Sequence, residues 1–373
     1  MPASITVARG VLFLHLPHRL RRPVVKILVI KRDKLGDLLL TTPMLAHLRA
    51  SLPHARIDLL ANDYNAWVVA DEPTIDRCWV YRRVRNGHQI SLSAAWQLLL
   101  QNRALRAERY DAVIVANGSC SPRAIERGVT VGGARVIACV NGEAGQAFMR
   151  ALTDPLPEQP GLHEVERLIA LLAPLGIEPP AQPIAPRYRL PQQETMAARQ
   201  WLSDRALRPR GYVVLGLGAR RAKKQPTTAQ VLEWTGRIKT DYGLDTVFMW
   251  TPGASDNALY PGDDATAEPV LAARCSWIHP FRGPILPALG LIWHAQTSVF
   301  PDSGLMHFAA ASPGGVLGLF ADTTVSPSPV QWGPRGLRAA YLEAPLSVEQ
   351  LATDTVLHVL QSKLIDPIEE ITP

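Results

Sequence analysis

Short apolar runs alternate along the chain with stretches in which leucines recur at helical spacing. Residues 24–30 form an apolar run broken only by Lys26, the pattern of a strand buried on both faces of a parallel sheet. Leu45, Leu48 and Leu52 then share one helical face. Residues 57–61, 78–81, 112–116 and 135–140 predict further strands, and 93–105 predicts a helix. Between residues 154 and 191 prolines are dense, with one helical island at 163–172. The scheme then repeats: strand 212–215, helix 231–239, strands 246–250 and 298–300, helix 307–311 and strand 316–320. Leu351, Val356 and Leu360 mark a last helix within 348–360. Strand–helix alternation of this kind predicts an α/β architecture of parallel sheets covered on both faces.

Length turns this pattern into two units. The 373 residues exceed an ordinary domain. We therefore expect two Rossmann-like, doubly wound parallel-sheet domains facing a central cleft: residues 24–191, residues 192–345, and a tail at 346–373. Ligands of open α/β sheets bind beyond the C-terminal ends of the strands. The loops after Ile30, Leu215 and Phe300 are therefore where chemistry is to be sought.

Composition narrows the class. The net charge is +6 and most cations are arginines, which favours anionic partners. No zinc-finger spacing or basic–aromatic block points to nucleic acid, so none is expected as a partner. Cys78, Cys120, Cys139 and Cys275 have neither metal-ligand nor redox spacing, as expected of reduced thiols in a cytoplasmic protein. No apolar run reaches the roughly 18 residues that span a bilayer. Val11 to Leu16 is apolar and is followed by Arg19, Arg21 and Arg22. That order argues against a signal peptide. It leaves either a plain extension or a helix resting on anionic lipid at the inner membrane face. A monomer is expected.

Three loops carry candidate chemistry. The first runs Lys31-Arg32-Asp33-Lys34-Leu35-Gly36-Asp37-Leu38-Leu39-Leu40-Thr41-Thr42-Pro43. Gly36 permits a close backbone approach. Asp37 is either a catalytic carboxylate at the cleft mouth or a first-turn helix acid. The second loop runs Gly216-Leu217-Gly218-Ala219-Arg220-Arg221-Ala222-Lys223-Lys224-Gln225-Pro226. Glycines followed by four cations suit a pyrophosphate, or make a solvated basic loop. The third is Pro301-Asp302-Ser303-Gly304-Leu305-Met306-His307. Here Ser303 and Gly304 open a helix whose first amides suit an anion, Asp302 would face sugar hydroxyls, and His307 is a ligand contact or a packing histidine. Arg82, Arg83, Arg85 and Arg123 form an acidic-acceptor pocket or an exposed charged face.

Together these segments resemble glycosyltransferase family 9, the ADP-heptose:lipopolysaccharide heptosyltransferases. The likeness rests on Gly36-Asp37 with Leu38-Leu39-Leu40-Thr41-Thr42-Pro43, on His163-Glu164-Val165-Glu166-Arg167, and on Asp302-Ser303-Gly304-Leu305-Met306-His307-Phe308-Ala309-Ala310-Ala311. It runs in order from about residue 24 to residue 332. It implies a GT-B fold, with the acceptor on the first domain, the nucleotide sugar on the second, and the C-terminal helix crossing back to the first. It also implies inverting, metal-independent transfer from ADP-heptose to a lipopolysaccharide core acceptor, with no cofactor beyond the donor substrate.

By position, the resemblance makes Asp37 the general base; Gly36, Thr41, Arg82, Arg83, Arg85 and Arg123 are the candidate acceptor contacts. Gly218, Ala219, Arg220 and Lys223 or Lys224 would hold the donor phosphates. Amides of Ser303, Gly304 and Leu305 would stabilise the departing diphosphate, with Asp302 and His307 near the sugar. An aspartate at its ordinary pKa is ionised at neutral pH and can serve as such a base. Gln225 stands where the family often has Trp, and Phe320-Ala321-Asp322-Thr323 where it commonly has Phe-Gly-Pro-Thr. The segment 252–264 has no clear register. These departures fall in the donor half. The competing expectations are a transferase with another donor or acceptor, a GT-B epimerase or hydrolase, and a non-catalytic carbohydrate- or nucleotide-binding relative.

Overall fold

A computed structural model of the chain describes residues 25–82, 85–86, 89–90, 92–142, 148–218, 221–256, 262–324 and 327–365. The first half is a six-stranded sheet in the order β3-β2-β1-β6-β7-β8. Its strands are β1 (Lys26–Ile30), β2 (Arg56–Asn62), β3 (Arg77–Tyr81), β6 (Ala112–Val115), β7 (Arg135–Val140) and β8 (Asp154–Pro157). Two short strands, β4 (Arg85–Asn86) and β5 (Gln89–Ile90), pair antiparallel outside it. The second half has the order β11-β10-β9-β12-β13-β14. These are β9 (Tyr212–Gly216), β10 (Asp245–Met249), β11 (Ile278–Phe281), β12 (Thr297–Pro301), β13 (Val316–Ala321) and β14 (Ala339–Ala344). All pairings within both six-stranded sheets are parallel.

The strand orders place the site. In each sheet the chain builds outward from one central strand, then returns to its other side. The crevice therefore opens between β1 and β6 in the first sheet and between β9 and β12 in the second. The Asp37 loop follows β1, the Gly218 loop follows β9, and Asp302-Ser303-Gly304 follows β12.

One apolar core continues across the two halves. Ile27, Val29, Ile57 and Leu59 on one face of the first sheet join Leu38, Leu39 and Leu45, and through them Met306 and Phe308 of the second half. Trp67 stacks on Phe308 at 5.6 Å between centroids, and Tyr188 meets the same ring edge-on at 5.0 Å. Tyr188 and Ser312 share a 2.8 Å hydrogen bond through their hydroxyls. Each ring pair adds about 0.5–1.5 kcal/mol beyond the area it buries.

Two expectations change. The described part of the 346–373 segment (residues 366–373 lie outside the described residues), expected to cross to the first domain, packs on the second instead through the helix Thr353–Leu360. Its Val356, Leu357 and Leu360 pack into the second core with Val231, Trp234 and Ile238 of the helix Thr228–Tyr242. Its apolar face is already used there, so nothing draws it across. The proline-dense joint also contains a strand: β8 is Asp-Pro-Leu-Pro and pairs with β7 alone. Proline lacks the ladder donor, and an edge strand with one partner tolerates it. The first 24 residues lie outside the described residues. No helix among the described residues is long and apolar enough to cross a membrane.

Candidate active site

A cavity of about 670 Å³ lies between the two halves, lined by Lys34, Gly36, Asp37 and Tyr64 from the first and by Gly218, Lys224, Asp302, Ser303, Gly304 and His307 from the second. Arg221, Thr251, Pro327 and Trp332 complete its wall.

Asp37 sits in the first turn of the helix Leu35–Leu39. Its Oδ2 accepts the amide of Lys34 at 3.1 Å, so it acts as a local cap as well as lining the cavity. Burial pushes its carboxyl above the ordinary aspartate value, and the nearby Asp33 adds to this, while Lys31 pulls the other way. The expectation of an ordinary pKa is thus corrected: this carboxylate is a stronger base than a solvated one. Lys31, 1% exposed, ends the apolar strand β1. Its Nζ donates to Ala116 O at 2.8 Å and lies 3.2 Å from Asp33 Oδ2. Burial alone would lower its pKa, yet the carboxylates of Asp33, Asp37 and Glu164 hold it above the usual lysine value. Asn117 Nδ2 donates to Asp33 at 2.5 Å, and Asn65 Nδ2 donates to Asp33 O at 3.0 Å. The loop before Asp37 is thereby fixed by neighbouring strand ends.

Across the cavity, Lys224 and Asp302 form a 2.5 Å ion pair. Lys224 is 5% exposed. The adjacent Lys223 faces away and pairs with Asp322, whose backbone is left-handed at φ 51°. The structure thus separates two lysines that the sequence left equivalent: Lys224 alone reaches the cavity. Ser303 is extended ahead of the helix Gly304–Ala310 and makes no side-chain cap. Ser303 Oγ and His307 Nδ1 are buried, line the same cavity, and have no hydrogen-bond partner among the described residues. Buried polar atoms are almost always paired, so two such atoms facing one cleft suit a polar ligand. Burial pushes His307 down to about 4 despite the opposing charge of Asp302. It is a neutral imidazole at physiological pH.

Other expected contacts fall differently. Thr41 is fully buried and donates to Asp37 O at 2.8 Å, which closes the helix turn instead of facing the cleft. Leu305 turns its side chain to the core, so only its amide stays near the site. Arg82 and Arg123 are exposed. Arg83, Ala219 and Arg220 lie outside the described residues, and Arg85 is described only by its backbone in β4. The structure instead gathers Arg32 and Arg127 about Tyr81, at 5.7 and 5.5 Å from the ring centroid. Burial, with Arg32 nearby, lowers Arg127 to about 10. Neither arginine was singled out, because they are far apart in sequence and meet only through β3. Lys31, Tyr64, Thr251 and Trp332 were also missed. A lone lysine closing an apolar run was the one available signal.

The His163-Glu164 island bridges the halves. His163 Nδ1 accepts Val165 N at 3.2 Å and Nε2 pairs with Gly333 O at 2.9 Å. Glu164 accepts Gly118 N at 3.1 Å and Gln331 Nε2 at 3.0 Å. Burial drives His163 to about 3.

Two parallel-sheet domains meeting at one cavity have the GT-B fold, an architecture of glycosyltransferases. The chain belongs to Glycosyltransferase family 9 (heptosyltransferase), which it matches over residues 99–349. Lipopolysaccharide heptosyltransferase 3 from Escherichia coli is 26% identical over 294 residues, covering 77% of this chain and 81% of that protein. The structure of E. coli ADP-heptose lps heptosyltransferase II superposes with a TM-score of 0.68 at 21% identity, covering 90% of this chain and 97% of that one. An E. coli heptosyltransferase solved with ADP-2-deoxy-2-fluoro heptose gives 0.66 at 20% identity, covering 90% and 99%.

Proposed function

We propose that the chain transfers heptose from ADP-heptose to a saccharide of the lipopolysaccharide core, with inversion and without a metal, at the cytoplasmic face of the inner membrane. The observation that carries this reading is that Asp37 shares one cavity with the Lys224–Asp302 pair, Ser303 and His307. The acceptor hydroxyl would lie at the first-domain lip, where Asp37 takes its proton as the oxygen attacks the anomeric carbon. The bond from that carbon to the diphosphate breaks. Lys224 and the amides of Ser303, Gly304 and Leu305 would offset the charge that develops on the leaving group. Neutral His307 would offer a hydrogen bond to the donor, and Asp302 would orient both Lys224 and the sugar. Arg32, Arg82, Arg123 and Arg127 would meet an anionic acceptor. Relatives named for lipopolysaccharide heptosyl transfer, and one solved with an ADP-heptose analogue, support the choice of donor.

A second reading keeps the transferase and changes the donor sugar. It is favoured by Gln225, whose Nε2 donates to Asp263 at 2.5 Å, and by the pairing of Asp322 with Lys223. These contacts lie where the chain departs from the family pattern. A thermal-shift panel of ADP, UDP, GDP and their sugars separates the readings. A ligand held by the native state alone raises apparent stability by mass action. ADP and ADP-heptose should give the largest shifts. A larger shift with UDP or GDP would overturn the donor assignment.

A further inference from the structure

The helix Leu92–Ala107 crosses the outer face of the first sheet, opposite the inter-domain core. It runs from beyond the C-terminal end of β3 back to the start of β6, so its first half lies toward the strand ends where Asp37 sits. Ala94 and Leu105 are buried, and Leu98 packs on the core beneath. Gln101 Nε2 donates to Val80 O at 2.8 Å, which seats the helix on the edge strand.

Its other face is apolar and is exposed among the described residues. Trp96 is 63% exposed, Leu99 59% and Leu100 50%. Trp96, Leu99, Leu100 and Arg103 follow the spacing i, i+3, i+4, i+7, so they form one stripe. Arg103 and Arg106 are exposed at its C-terminal end. The helix contains no acidic residue.

We propose that this face docks on an anionic lipid bilayer, with Trp96, Leu99 and Leu100 entering the interfacial layer and Arg103 and Arg106 meeting the headgroups. The charge decides the occupant. A second copy of this helix carries no carboxylate to pair with Arg103 and Arg106, whereas an anionic surface attracts them. The apolar area also suits a membrane better than a subunit. Three partly exposed side chains offer on the order of a few hundred Å², against about 1,600 Å² for a standard protein–protein interface. Tryptophan favours the headgroup level, where its ring is half apolar and half wet. None of this depends on which sugar is transferred.

The test is co-sedimentation of the full chain with vesicles of phosphatidylethanolamine and phosphatidylglycerol, and with vesicles of phosphatidylcholine alone. Binding should be confined to the anionic vesicles and fall as salt is raised. Trp96→Ser/Leu99→Ser/Leu100→Ser should weaken it at least five-fold, and the single variant Arg103→Glu at least three-fold, with melting temperatures near wild type. Equal binding by wild type and both variants would overturn the proposal. So would equal binding to both vesicle types, or a wild-type dimer that the triple variant converts to monomer.

Discussion

A Cβ added at Gly36 would lie 3.2 Å from the Cα of Gly304, a residue 268 positions away on the other side of the cleft. It would also lie 3.2 Å from Cδ2 of the buried His307 ring. The backbone before the proposed base and the backbone of the proposed diphosphate site therefore touch, and neither neighbour is the loose end of a flexible chain. Gly36→Ala forces the two lips apart. It should cost about 1–2 kcal/mol by overpacking and lower turnover at least ten-fold. Urea unfolding and a steady-state assay check both figures, and a variant with wild-type stability and rate would show that the contact is slack.

Lys223 and Lys224 should differ sharply. Lys224→Met strips the mostly buried Asp302 carboxylate of its ion-pair partner, a change that destabilises by less than the about 3–5 kcal/mol of a fully buried pair. Calorimetric affinity for ADP should fall at least ten-fold. Lys223→Met breaks a more exposed pair with Asp322 and should cost less than three-fold. The opposite ranking would move the phosphate contact one residue back.

The acid side of the pH–rate profile should report Asp37. Because burial raises its pKa, kcat/KM should begin to fall above the ordinary carboxylate range as pH is lowered. Lys31 opposes that rise. In Lys31→Met the acid limb should therefore move to still higher pH. A limb that stays in place or moves down would show that another group titrates.

Stability should fall between about pH 6.5 and 4. His163 and His307 are held near 3 and 4 in the folded chain, against the ordinary histidine value of 6.5. The unfolded chain binds more protons in that window, so the stabilisation present above pH 6.5 is lost as pH falls toward the folded values. Each histidine contributes up to about 1.4 kcal/mol per pH unit. His163 also loses its Nδ1 acceptance from Val165 N on protonation. Unfolding free energies measured at pH 7, 6, 5 and 4 check the slope. In His163→Gln the slope should be shallower.

The sheets and the Asp37 and Asp302 loops were legible because strand periodicity, Gly36 and Ser303-Gly304 are local signals. The bounds of β7 follow directly from its apolar run. The strand β8 was hidden by two prolines that only an edge position permits, and the direction of the last helix was set by the core already waiting on its own domain. Within the site, the choice of Lys224 over Lys223 depends on a short 3-10 turn that points successive lysines to opposite partners. The pairing of Arg32 with Arg127 depends on Tyr81, which no spacing along the chain connects to either.

The central claim is that Asp37 removes the acceptor proton, and Asp37→Asn tests it most directly. The substitution keeps the shape of the side chain and removes the base. Single-turnover transfer measured with ADP-heptose and a lipopolysaccharide core acceptor should slow by about two or more orders of magnitude, while calorimetric affinity for ADP stays within two-fold of wild type. Transfer at the wild-type rate, or loss of ADP binding in step with loss of rate, would contradict it.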